Sequence, residues 1–251
     1  YWAELRAIRE ARQRWDSAVR ALETQIQRNT SDVLGPEILD RVLAMPWYSG
    51  LRGFHESDPE GVISFCKPTA WLKTTKIDQM LELLDNNAEL RNCSIRVIPS
   101  GHTREIIEIH QNEGLEYETS PKYRKLRELG ENVANGGTKQ LATVVNVGGD
   151  HWIALVVDFA SKAVYYFDSL KQCIDSELQE AYDWWISQHH STEFGWVTLP
   201  CLRQRDSHNC GLFAANRIAY YIDPNTYPLL DPQGCDDERL NTLAKILDRH
   251  N

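Results

Sequence analysis

Residues 141–168 read LATVVNVGGDHWIALVVDFASKAVYYFD, and the reading of this stretch decides the fold. Leu141–Val147 is apolar enough for a buried strand. Gly148-Gly149-Asp150 marks a turn, since glycine accepts the backbone angles that a tight reversal needs. Trp152–Val157 follows as a nearly all-apolar strand, and Ala163–Phe167 pairs with it as a hairpin across Asp158–Lys162.

Toward the C-terminus, Ser176–His189 reads as a helix with Leu178, Tyr182 and Trp185 on one face. His189-His190 ends it, where histidine suits the C-terminal dipole. Phe194–Leu199 is a further strand, Asn209–Tyr221 a strongly apolar, buried helix, and 236–250 a terminal helix.

Upstream, residues 1–28 form one long helix. Leu5, Ile8, Trp15, Val19, Leu22 and Ile26 recur at spacings of three and four, and Arg12 interrupts the stripe. One charged residue in so short a stripe is a weak coiled-coil pattern, so the helix is expected to dock on its own domain. Gly35-Pro36 breaks the chain before a short helix at about 36–44. Residues 46–70 read as loop. Thr75 is expected to cap a helix over 76–84 that carries Ile77, Met80, Leu81 and Leu84. Ser94–Ile98 is a strand stopped by Pro99, and 103–112 is a helix. Ser120-Pro121 opens another helix, and Gly130 is expected to close it. Helices come first, then a sheet flanked by helices, which is an α+β arrangement. The expected division is a helical extension over 1–30 and a main domain over 31–251.

The chain has 251 residues, enough for a sizeable core, with 42% apolar and 25% charged residues. A formal charge of −9 and the lack of a Lys/Arg cluster exclude nucleic acid as a partner and favour a basic protein or peptide. No apolar run is long enough to cross a membrane, so none is expected as a partner. Six cysteines occur without a CxxC pair. A chain of this size does not need disulfides, so they read as reduced thiols of an intracellular monomer in nucleus or cytoplasm. The sequence begins at Tyr1 and reads as a processed or excised piece.

The chemistry gathers around Cys210. Asn209 is a good N-cap, which places Cys210 in the first turn of the apolar helix. There the dipole and the free N–H groups favour an anion, and the thiolate is the nucleophile. Gly211 removes bulk beside the sulfur. His151, at the mouth of a buried strand, suits a general base and then acid. Asp168 ends the paired strand, close enough to orient the imidazole. Gln204, six residues before Cys210, supplies a neutral donor for an oxyanion, shared with the Cys210 N–H. A zinc site on Cys201, His208, Cys210 and Cys235 fits no ordinary spacing and would consume the nucleophile. Neither metal nor cofactor is expected.

His151-Trp152, Asp168-Ser169 and Gln204 to Cys210-Gly211 occur in the order of the Ulp-type proteases, which process SUMO and related modifiers, and of their adenovirus-protease relatives. The chain resembles this family over about 138–222, and Trp71-Leu72 is similar to its substrate-side Trp-Leu element. The resemblance implies a papain-like fold with a central mixed sheet, a Cys210/His151/Asp168 triad and Gln204 as oxyanion donor. It further implies Trp152, Trp71 and Leu72 as substrate-binding residues, with Trp152 roofing a tunnel that admits only a Gly-Gly tail. The expected activity is a cysteine protease or isopeptidase acting on SUMO, ubiquitin or NEDD8 conjugates, and delivery into a host as an effector is compatible with it. Asn209 stands where the family often has an acidic residue. Lys73-Thr74 stand where it usually has Asn-Asp, which removes a carboxylate expected to touch the modifier and weighs against SUMO. Two rivals remain: an acyltransferase on the same scaffold, and an inactive module that binds ubiquitin-like proteins.

Overall fold

β3 (His151–Asp158) is buried at all eight positions, because helices cover both faces of the sheet it centres. Successive strand residues point to opposite faces. Trp152, Ala154 and Val156 therefore join one hydrophobic cluster, and Ile153, Leu155 and Val157 join the other. The computed structural model describes residues 2–28, 34–47, 50–55, 60–86, 94–200 and 202–250.

Among these residues the sheet has five strands: β1 (Ile95–Val97), β2 (Gln140–Val147), β3, β4 (Ala163–Phe167) and β5 (Gly195–Thr198), in that spatial order. The β2–β3 and β3–β4 pairs are antiparallel, while β1–β2 and β4–β5 are parallel, so the sheet is mixed. Val147 pairs with His151 across a three-residue turn in which Gly148 and Gly149 both have positive φ, 65° and 85°. That turn places His151 at the first position of its strand.

On one face lie α4 (Thr74–Asp85), α8 (Cys210–Ile222) and α9 (Cys235–His250), with α8 directly on β2 and β3. Outside them pack α1 (Trp2–Arg28), α2 (Leu34–Ala44) and α3 (Glu60–Cys66). The other face carries α5 (Gly101–Gln111), α6 (Arg124–Ala134) and α7 (Ser176–His189). The fold is α+β with a central mixed sheet flanked by helices.

Several expectations need correction. The expected loop at 46–70 contains α3, whose Val62, Phe65 and Cys66 are buried. Seven residues give less than two turns, too few to display a period. The helix expected from Thr75 starts at Thr74, and its cap position, Lys73, makes no side-chain cap bond. Gly130 does not close α6 but lies inside it, because a Cβ there would stand 2.2 Å from Nε2 of His189. His189 ends α7, yet it serves as a packing partner rather than a cation on the dipole. Its Nε2 meets the Tyr117 hydroxyl at 2.7 Å, and burial pulls its pKa below the usual histidine value.

The stripe on α1 is used over half its length. Trp15, Ala18, Val19 and Leu22 are buried in the core, where α1 packs against α2 and α3, whereas Ile8 is exposed. Arg12, the interruption, stacks over the Trp47 ring at 5.7 Å. Gln25 Nε2 donates to the carbonyl of Asp236 in α9 at 3.1 Å.

Candidate active site

The start of α8, the start of β3 and the end of β4 converge. Phe167 pairs with Ala154, so Asp168 emerges beside the first residues of β3. His151 Nε2 and Asp168 Oδ1 are 2.6 Å apart, and both residues are buried. The Asp168 carboxylate is also fixed from the backbone: Oδ1 accepts the N–H of Leu170 at 2.7 Å and Oδ2 that of Gln172 at 2.9 Å. It is a turn residue and a partner of histidine at once. Burial alone would raise its pKa, but these three hydrogen bonds outweigh that and hold it below the usual carboxylate value.

His151 hydrogen-bonds the Cys210 thiol as well as Asp168. Burial opposes its charging. The bonds to Asp168 and Cys210 and the neighbouring negative charge prevail, and its pKa is lifted to about 9. Cys210 is the first residue of α8 and only 1% exposed. The Phe213 N–H makes the first helical bond, to Asn209 O at 3.0 Å, so the N–H groups before it have no acceptor within the helix. Burial pushes the Cys66 and Cys235 thiols up to about 12. Cys66, Cys173, Cys210 and Cys235 are free thiols, while Cys93 and Cys201 lie outside the described residues, as does one member of the dismissed zinc set. Among the described residues no group of three or more His, Cys, Asp or Glu is arranged to hold a metal ion.

Asn209 sits at the cap position of α8 but makes no side-chain cap bond. Its Oδ1 is taken by Arg239, from Nε at 2.9 Å and Nη2 at 2.7 Å, and its Nδ2 donates to Asp206 Oδ2 at 3.0 Å. Arg239 is 0% exposed and also donates to the carbonyls of Ser64, Lys67 and Ala70. One guanidinium thus ties the residue before Cys210 to the segment leading into Trp71-Leu72. Sequence reading missed it, because Arg239 follows Asp236-Asp237-Glu238 and looks like part of a solvated helix face. Asp206 was missed too. Its Oδ1 accepts the N–H groups of His208 and Asn209, a local Asp turn that an Asp followed by Ser-His-Asn can signal.

Gln204 is buried. Its Oε1 accepts from Ser169 Oγ at 2.5 Å, and its Nε2 donates to Asp206 O at 2.8 Å. Trp152 is also buried, and its indole N–H donates to Leu72 O at 2.8 Å. A Cβ on Gly211 would stand 2.6 Å from Ile77 Cδ1 and 3.2 Å from Trp152 Cδ1, so only glycine fits beside the indole after Cys210. Trp71 is 40% exposed beside this group, but Leu72 is 2% exposed. Leu72 therefore offers the site its backbone carbonyl, and its side chain packs the core.

Residues 137–243 match the Ulp1 protease family, C-terminal catalytic domain. The deubiquitinase and deneddylase Dub1 of Chlamydia trachomatis is 27% identical over 123 residues, 43% of this chain and 29% of that protein. The chain thus spans under a third of the curated relatives it matches. The yeast Ulp1 protease domain, solved in complex with Smt3, superposes with a TM-score of 0.62 at 16% identity, covering 85% of this chain and 93% of that one. The Ulp1-like SUMO protease catalytic domain of Chaetomium thermophilum gives 0.52 at 15% identity, covering 72% and 74%. At these identities the structural likeness is one of fold. The sheet order, the positions of His151, Asp168 and Cys210 in it, and the match over 137–243 agree: residues 137–243 are similar to the catalytic domain of the Ulp1 family of cysteine proteases.

Proposed function

We propose that the chain is an isopeptidase that cleaves after the C-terminal Gly-Gly of a ubiquitin-like modifier, with Cys210 as nucleophile, His151 as base and acid, Asp168 as orienting carboxylate and Gln204 as oxyanion donor. The observation that carries this is the buried chain of Asp168, His151 and Cys210, which ends on a thiol at a helix N-terminus.

In this mechanism the His151 imidazole takes the Cys210 proton, and the sulfur attacks the carbonyl of the terminal glycine. The carbonyl oxygen becomes an anion held by the Cys210 N–H and Gln204 Nε2. His151 then gives its proton to the departing lysine amine, leaving a thioester on Cys210. Water, deprotonated by His151, attacks the thioester, and the modifier leaves with a free carboxylate while the thiol is restored. The exposed Trp71, with Trp152 over Gly211, lines the approach. Residues 31–251 form the catalytic domain in this reading, with 1–30 a helical extension. The site of action is inside cells, where reduced thiols persist.

A relative named as a deubiquitinase and deneddylase, together with Lys73-Thr74 after Trp71-Leu72, favours ubiquitin or NEDD8 over SUMO. The test is a panel of ubiquitin, NEDD8 and SUMO, each ending in a thiol-reactive group after Gly-Gly, mixed with wild type and with Cys210→Ala. An adduct with ubiquitin or NEDD8 that disappears in Cys210→Ala is expected. Labelling that survives Cys210→Ala, or no labelling by any of the three, would overturn the reading.

A further inference from the structure

We propose that Ser169 is a positioning residue for the oxyanion donor, clamping the Gln204 amide so that its remaining N–H faces the substrate carbonyl. The inference rests on the function proposed above. Ser169 directly follows Asp168 and is buried, as is Gln204. Two hydrogen bonds join them: Ser169 Oγ donates to Gln204 Oε1 at 2.5 Å, and the Gln204 N–H donates to Ser169 O at 3.2 Å. They connect the loop after β4, which carries the acid, to the loop before α8, which carries the nucleophile.

A primary amide has two N–H donors at one end and an acceptor at the other. Here the acceptor end is occupied by the Ser169 hydroxyl, and one N–H goes to Asp206 O at 2.8 Å. The second N–H is what the side chain has left to give an anion. The Asp206 carbonyl decides which end of the amide is which, because it can only accept. Ser169 holds the other end in place. The terminal torsion of glutamine is broad, so an amide held by one bond alone would turn. A turned amide would bring an oxygen toward the developing negative charge. Loss of the hydroxyl would also leave a buried Oε1 without a partner.

The test is a double-mutant cycle on cleavage of a fluorogenic amide of the modifier that the wild type turns over, with Ser169→Ala, Gln204→Ala and the double variant. Gln204→Ala should lower kcat by about 100-fold, the effect of deleting one oxyanion donor. Ser169→Ala should lower kcat by about tenfold with KM changed less than about twofold, because the lost interaction belongs to the transition state. Ser169→Thr, which keeps a hydroxyl, should recover most of that loss. On the Gln204→Ala background, Ser169→Ala should cost nothing further. A kcat undiminished by Ser169→Ala, losses that multiply in the double variant, or unfolding of Ser169→Ala while Gln204→Ala stays folded would each overturn the inference. A wild type that turns over none of the modifier substrates would overturn the functional reading, and this inference with it.

Discussion

His151 holds its proton longer than a free imidazole does. Asp168 lies on one side and Cys210 on the other, and together they lift its pKa to about 9. On the proposed mechanism, kcat/KM should fall as pH rises through about 9, where His151 loses the proton it must give to the leaving amine. Asp168→Asn removes the carboxylate that raises the pKa, so the alkaline limb should move to lower pH. Activity should also drop by about 10³- to 10⁴-fold, as when a triad acid is replaced by its amide. A pH series on both proteins measures the two effects together. Stability follows the same sign. A raised histidine pKa stabilises the fold fully below the unfolded value near 6.5, and that contribution is lost as pH climbs to about 9. At this scale the sequence was informative about groups whose chemistry is local. Cys210, His151 and Asp168 each stand next to a turn or cap residue that marks them, whereas Gln204 is marked only by its place six residues before Cys210. Arg239 and Ser169 act through bonds to residues 30 or more positions away, and nothing in their neighbours announces it.

Among the elements, α9 has a role that its composition conceals. Through Arg239 it reaches Asn209 at the head of α8 and three carbonyls between Ser64 and Ala70. Lysine in that place cannot reproduce the planar fork. Arg239→Lys should leave several buried acceptors unsatisfied, at about 1–3 kcal/mol each, and lower the unfolding midpoint in urea. It should also slow labelling of Cys210 by the modifier probes, since Asn209 loses its anchor. A midpoint equal to wild type would contradict the role given to Arg239. The β2, β3 and β4 strands were legible because each is an apolar run bounded by turn residues, with paired glycines between the first two. Helix α3 was not, because its burial comes from α1 and α9, far off in sequence. Gly130 misled for a related reason: it looks like a stop, but it is there to make room for a ring from α7.

For the whole molecule, the sheet separates two cores, and α1 belongs to the one beneath the nucleophile. Leu22 is completely buried there. Leu22→Ala should cost about 2–5 kcal/mol, the range for deleting a large aliphatic side chain from a packed core. Ile8→Ala, on the exposed half of the same helix, should change stability by less than about 0.5 kcal/mol. Chemical denaturation of the two variants checks the contrast, and equal losses would mean that the first turns of α1 also pack. Apart from α3, the order of elements was readable from patterns alone. The layering around α1 was not, since a stripe of period 3.6 says that a helix is covered without saying by what.

Arg239 follows Cys210 in the sequence, yet it seats the residue before Cys210 and the loop at 64–70. During translation, Cys210, His151 and Asp168 are all synthesised before the side chain that fixes Asn209. On the proposed mechanism the site is therefore complete only after α9 has left the ribosome and folded back onto the rest of the domain.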